Sequence, residues 1–275
     1  MKLLATTAVA LAALALPAAA TTVQVTITNN SDTNGLFFTP FLNVFHSGDY
    51  DPFNGGEAAS AGLEELAELG STGTAAAEAE AMGRIIETLT EPTGVGPAVG
   101  APPVFDPGNS ATFTLDLDST ENMYLTLLSM IIPSNDTFIS DTIRLFDTNG
   151  DFIAASYDLG RSNVYDAGTE VNRQDGFGQA FNTADGNGPG ALGEVEGGLV
   201  HLSSDAELLT LFDQPIPPLG GGLNIGDLAS FEDVITISFE EIAPVPLPAS
   251  GWVLLAGIGG MGALARRKKK AQKAA

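Results

Sequence analysis

Two acidic stretches carry the side chains best suited to chemistry. VYDAGTEVN (164–172) sets Asp166 and Glu170 four residues apart, with Gly168 between them. PSNDTF (133–138) carries Asp136, thirty residues before Asp166. The glycine allows a tight backbone turn, so the carboxylates of DAGTE can converge. Oxygen-rich loops of this kind suit calcium, which takes about six to eight oxygens from carboxylates, carbonyls and water. On the residues alone, however, such a turn reads first as solvated and only second as a ligand site. Two further acidic loops compete with it. HSGDYD (46–51) puts His46 beside Asp49 and Asp51 and could also hold a metal. DTNGD (147–151) lacks the spacing of an EF-hand loop, and the Asn149-Gly150 pair explains it as a hairpin turn.

Other chemistries find little support. The chain has no Cys, which excludes disulfides, thiolate metal sites and thiol nucleophiles. The two imidazoles are His46 and His201, and His201 lies in the alternating segment VHLS, where it reads as structural. HExxH, GxSxG and P-loop motifs are absent. Carboxylates are plentiful enough for a glycosidase-type pair, so a secreted hydrolase of matrix polysaccharide is the alternative to a non-enzymatic reading. The single Trp is Trp252, near the C-terminus.

The formal net charge is -23 over 275 residues. Lys2, Arg266, Arg267, Lys268, Lys269, Lys270 and Lys273 cluster at the two ends, and only Arg84, Arg144, Arg161 and Arg173 lie between them, together with all 34 acidic residues. A body this acidic repels phosphate backbones, which argues against nucleic acid as a partner, and attracts divalent cations.

The ends read as addresses. Residues 1–20, MKLLATTAVALAALALPAAA, combine a basic residue, an apolar run and small residues near Ala18 to Ala20, the pattern of a signal peptide. At the other end, residues 246–275 form a tail with an uncharged span over 249–265 and a basic cluster over 266–273. The span is at the short limit for crossing a bilayer, and the basic cluster would stay on the cytoplasmic side. The motif VPLP (245–248) followed by these two parts resembles the PEP-CTERM sorting signal in its VPLPA variant. That resemblance implies a Gram-negative bacterium, recognition and cleavage by an exosortase, and delivery to the cell surface or matrix. An uncleaved membrane anchor is the alternative.

The intervening body, 21–245, must position the acidic loops. VQVTITN (23–29) alternates as a half-buried strand. LFFTPFLNVF (36–45) reads as one buried strand made irregular, or placed at an edge, by Pro40. EAASAGLEELAELG (57–70) predicts a helix capped by Ser60, faced by Leu63, Leu66 and Leu69 and stopped by Gly70. AAAEAEAMGRIIETL (75–89) permits a helix, and 90–110 is a Pro/Gly loop. ATFTLDL (111–117) alternates, and MYLTLLSMII (123–132) is continuous enough to have both faces covered. TIRLFD (142–147) and FIAASYD (152–158) predict a hairpin. Residues 160–198 read as long loops, with closing strands at 197–203 and 233–242. The sum is an all-β fold, an antiparallel β-sandwich of about eight strands with one or two short helices.

SMIIPSNDTF (129–138) followed by YDAGTE (165–170) resembles the spondin N-terminal domain family, as do VQVTITNNS (23–31), FTPFLNVFH (38–46) and GEAASAGLEELAELG (56–70). The resemblance covers roughly residues 22–242. It implies a β-sandwich that binds one calcium ion through Asp136, Asp166 and Glu170, with a backbone carbonyl and waters completing the shell. The last ligand is Asp in the animal proteins and Glu here. It also implies a surface or matrix protein acting in adhesion, biofilm or exopolysaccharide association, with acidic exopolysaccharide or matrix proteins as partners.

Overall fold

Alternation of apolar and hydroxyl residues sets the first strand. β1 (Thr21–Asn29) buries Val23, Val25 and Ile27 and leaves Gln24 and Thr26 half-exposed. The computed structural model describes residues 20–31, 35–89, 104–173, 193–212 and 231–243. The expected signal peptide, most of the 90–110 loop and the C-terminal tail therefore lie outside the described residues. Among the described residues, no helix is long and apolar enough to cross a membrane. The elements below belong to one unit that ends at Glu241.

β1 pairs antiparallel with β5 (Ser110–Leu117) on one side and β11 (Ile235–Glu241) on the other, and β8 (Ser156–Leu159) adds to β11. This first sheet has the order β5-β1-β11-β8. The second contains β2 (Phe37–Phe38), β3 (Phe41–His46), β4 (Ile85–Leu89), β6 (Tyr124–Ile132), β7 (Thr137–Arg144), β9 (Val164–Asp166) and β10 (His201–Leu202). Its order is β10-β9-β7-β6-β3-β4, with β2 on β6, and its pairings are antiparallel.

The two sheets share a core in which Val23, Val25 and Ile27 meet Phe41, Phe45, Leu125, Leu127 and Ile139. The opposite face of the second sheet is also covered. There Leu42, Val44, Leu128 and Phe138 pack with Leu63, Leu66 and Ala67 of α1 (Ala61–Leu69) and with Ala75 and Ala79 of α2 (Gly73–Ala81). Burial on both faces is why β3 and β6 lack alternation. The result is the antiparallel β-sandwich expected, with a helical layer outside one sheet.

α1 starts where Ser60 Oγ accepts from the Leu63 N–H at 3.1 Å. It ends at Gly70, left-handed at φ 65, whose N–H donates to the Leu66 carbonyl at 2.9 Å. Leu69, expected on the buried stripe, is instead 41% exposed, and Ala67 takes its place in the core.

Several expectations change. The described residues form eleven strands and three α-helices, more than the expected eight strands and one or two helices. Pro40 splits the 36–45 segment into β2 and β3, and β3 is not an edge: β6 and β4 flank it. The 75–89 segment is half helix and half strand, because Gly83 (φ 76) turns the chain before the β-branched pair Ile85-Ile86. The predicted 142–158 hairpin is not closed. The turn at Gly150 forms, but only the isolated bridge Phe146–Phe152 follows, and β8 crosses to the other sheet to pair with β11. Leu145, Phe146 and Ala154 are buried in the inter-sheet core, so the chain there follows burial and not pairing. A third helix, α3 (Asp205–Phe212), and a 3-10 turn at Arg161–Asn163 occupy stretches read as loop or left unassigned.

Phe41 is fully buried, edge-on to Phe105 at 5.2 Å and stacked on Phe38 at 5.8 Å. Phe41→Ala is expected to cost about 3–5 kcal/mol in urea unfolding. Gly70→Ala is also expected to destabilise, since its Cβ would lie 2.3 Å from Thr39 Cγ2 at a positive φ.

Candidate metal centre

Asp136 ends the turn between β6 and β7. Ser134 closes that turn, donating to the Ile131 carbonyl at 2.6 Å and accepting from the Thr137 N–H at 3.1 Å. Asp166 is the last residue of β9, where it pairs with Thr137 of β7 on one side and His201 of β10 on the other. The register of three strands thus brings the two acidic motifs together.

The turn after β9 then folds over Asp136. Asp136 Oδ2 accepts from the N–H groups of Thr169 (2.8 Å) and Glu170 (2.9 Å) and from Thr169 Oγ1 (3.2 Å). Asn135 Nδ2 donates to the Glu170 carbonyl at 2.9 Å, and the Ala167 N–H donates to the Asp136 carbonyl at 3.1 Å. Asp166 Oδ1 accepts from the Gly168 N–H and its Oδ2 from Asn172 Nδ2, both at 2.6 Å. Gly168 has φ +67, and a Cβ there would lie 2.6 Å from the Leu199 nitrogen. Only glycine fits both the turn and this approach. Glu170 Oε1 accepts from the Gly193 N–H.

Asp136, Asp166 and Glu170 are all buried. Two of their oxygens, Asp136 Oδ1 and Glu170 Oε2, have no hydrogen-bond partner among the described residues, and neither does the neighbouring Asn135 Oδ1. No ion pair among the described residues reaches Asp136 or Glu170. Burial, then the charge of Asp166, raises the Asp136 carboxyl above the ordinary range against the pull of its three donors. Burial is the main cause of the rise at Asp166 as well, opposed by Asn172, Gly168 and His201. Glu170 is pushed up to about 8, first by burial and then by Glu68, Asp136 and Glu64, against the Gly193 N–H.

Glu68 is a participant that the sequence reading missed. It sits on α1, and burial and Glu64 raise its carboxyl while a hydrogen bond to Thr169 lowers it. The signal was present in the sequence, since Glu64 and Glu68 are like charges one helical turn apart with no basic residue in the helix to offset them.

Asp166 also belongs to a second group. Its carboxylate, His201 Nε2 or Nδ1 and a Glu207 oxygen all lie within 4.8 Å of one another. His201, expected to be structural, is 42% exposed and stands 3.0 Å from Glu207. Burial works against a charge on its ring, but the Leu199 carbonyl, Glu207 and Asp166 outweigh it and raise the imidazole above its ordinary value.

The other candidate loops are accounted for without a metal. His46 is buried, with Nδ1 accepting from the Gly48 N–H at 3.1 Å and Nε2 facing Thr126 Oγ1 at 2.9 Å. Asp49 pairs with Arg84 at 2.7 Å. Asp147 Oδ1 accepts from the N–H groups of Asn149 and Asp151, which closes the DTNGD turn.

The family profile described as Spondin_N matches residues 30–178, more than half of the chain, and takes in both acidic turns. The chain belongs to the spondin N-terminal domain family. No curated protein matches it. The spondin match ends before β10 and α3, so His201 and Glu207 lie beyond the matched segment. Spondin domains are extracellular modules in general.

The raised carboxyls have a consequence for stability. A group with a folded pKa above its unfolded value holds its proton better when folded, so stability falls as pH rises through the interval between the two values. For Glu170 that interval runs from the ordinary 4.5 to about 8. The metal-free spondin chain should therefore unfold at a lower temperature at alkaline pH than near pH ~5, and Glu170→Gln should flatten the profile. Scanning calorimetry at a series of pH values in chelator is the measurement.

Proposed function

We propose that the chain is an exported, non-enzymatic spondin-type domain that binds one calcium ion through Asp136, Asp166 and Glu170. In this reading it acts at the cell surface or in the extracellular matrix, in adhesion, biofilm or exopolysaccharide association. The observation that carries the proposal is the pair of buried oxygens, Asp136 Oδ1 and Glu170 Oε2, which have no hydrogen-bond partner among the described residues, on two carboxylates that no ion pair among those residues reaches. Buried charge is expensive unless paired or bound to metal. An all-oxygen donor set suits a hard cation such as calcium. Binding would neutralise the mutual repulsion and hold the 133–138 and 166–170 turns together. On the acidic exterior, calcium would also bridge the domain to acidic polysaccharide.

The sequence supports the addresses. The signal-like residues 1–20 and the VPLP motif with its apolar span and basic cluster support export from a Gram-negative bacterium and processing by an exosortase. The membrane would be a partner only through the span 249–265, before cleavage.

Thermal unfolding of the full chain with calcium and with chelator tests the metal reading. Calcium is expected to raise the melting temperature, by about 2.7 kcal/mol of stability at a hundredfold excess over Kd. Asp136→Asn should lose most of that response. An unchanged melting temperature for the parent chain in calcium would sink the reading. For the tail, mass spectrometry of surface-exposed protein should find the C-terminal part of residues 246–275 missing, and an intact C-terminal peptide would overturn the processing.

A further inference from the structure

We propose that Asp166, His201 and Glu207 form a second metal site, one that takes a divalent transition ion of the zinc class. The ligand atoms of these three residues lie within 4.8 Å of one another. Imidazole nitrogen together with carboxylate is a donor set that zinc accepts and calcium does not favour.

Proximity alone would leave an ordinary ion pair, but each side chain is also held from behind. His201 Nδ1 is 2.9 Å from the Leu199 carbonyl, which can accept only if Nδ1 carries the hydrogen. That hydrogen bond directs Nε2 toward the cluster, 3.0 Å from Glu207 Oε1. A backbone carbonyl behind a ligating histidine is the usual way of fixing its tautomer and ring plane. Glu207 is fixed by a capping box at the start of α3. Its Oε2 accepts from the Ser204 N–H at 2.6 Å, and its own N–H donates to Ser204 Oγ at 3.3 Å. Oε1 is thereby turned to His201. Asp166 is held by Gly168 and Asn172. A metal would replace the proton between Nε2 and Oε1.

The site has room for further ligands. A cavity of about 370 Å³ runs alongside, lined by Val171, Asn172, Glu196, Ala206, Glu207 and Thr210. Glu196 supplies a third carboxylate there, and water can complete the shell. Open positions of this kind distinguish exchangeable or reactive zinc sites from closed structural ones. The proposal shares Asp166 with the calcium reading, while its other two ligands, His201 and Glu207, lie outside the spondin match.

Zinc titration of the calcium-free full chain by calorimetry is the test. Zinc is expected to bind at one site per chain, and His201→Ala and Glu207→Gln should each weaken it about tenfold or more. Cobalt substituted for zinc should show a visible absorption band that His201→Ala removes. Asp136→Asn should weaken zinc far less than His201→Ala does, because it removes no ligand of the zinc site. Absence of zinc binding overturns the proposal. So does binding that survives both His201→Ala and Glu207→Gln, which would place the ion on the general acidic surface. Equal loss of zinc in Asp136→Asn also overturns it, because the ion would then occupy the Asp136 cluster.

Discussion

The arrangement of the acidic turns depends on the grip of one buried carboxylate oxygen, Asp136 Oδ2, on the backbone of residues 169 and 170. Two main-chain N–H groups and one hydroxyl converge on that oxygen from a segment more than thirty residues away. Hydrogen bonds to an ionised acceptor are about twice as strong as neutral ones, and burial shields them from competing water. The carboxylate pays a desolvation penalty that its three donors only partly offset, which is why its affinity for a proton remains high. Once the turn is folded over Asp136, its remaining oxygen and that of Glu170 find no donor among the described residues. Structural order is thus obtained at the cost of two buried carboxylate oxygens left without a hydrogen-bond partner among the described residues.

That arrangement requires the sheet to place the two turns side by side. β7 begins directly after Asp136 and pairs with β9, which ends at Asp166. β9 then lies between β7 and β10, so Asp166 faces the Asp136 cluster along the chain and His201 across the ladder. The same sheet carries α1 on its outer face, and this brings Glu64 and Glu68 into the field of Glu170. One acidic region therefore draws on four segments: the β6–β7 turn, the turn after β9, α1 and the start of α3.

Much of the fold was legible in the pattern of residue types. The alternation in β1 and β5, the capping serine and stop glycine of α1, and the unbroken apolar run of β6 each follow from local chemistry or a two-fold period. The misreadings share a cause. Pro40 allows either an irregular strand or an edge; the edge is not found, and the proline falls between β2 and β3 and not within either. The Asn149-Gly150 turn is real, yet the strands beside it do not pair as predicted. Phe146, Phe152 and Ala154 gain more by packing between the sheets than the chain would gain by closing a ladder. A turn signal reports the bend and not the destination of the chain that leaves it.

The candidate site divides along the same line. The sequence by itself determined which residues could ligate: the spacing of Asp166, Gly168 and Glu170, the lone Asp136 in PSND, and the absence of Cys all restrict the chemistry to oxygen and imidazole donors. Those are properties of side-chain type and local backbone freedom. Only the tertiary structure decided which groups meet. Glu68 and His201 approach the acidic turns from segments about a hundred residues before Asp166 and 35 after it, and no local period encodes that meeting. Strand register and sheet order set it, through burial of apolar faces far from the carboxylates. The same burial removes water from Asp136 and Glu170, and so turns acidic residues that read as a solvated loop into groups with strongly raised proton affinity.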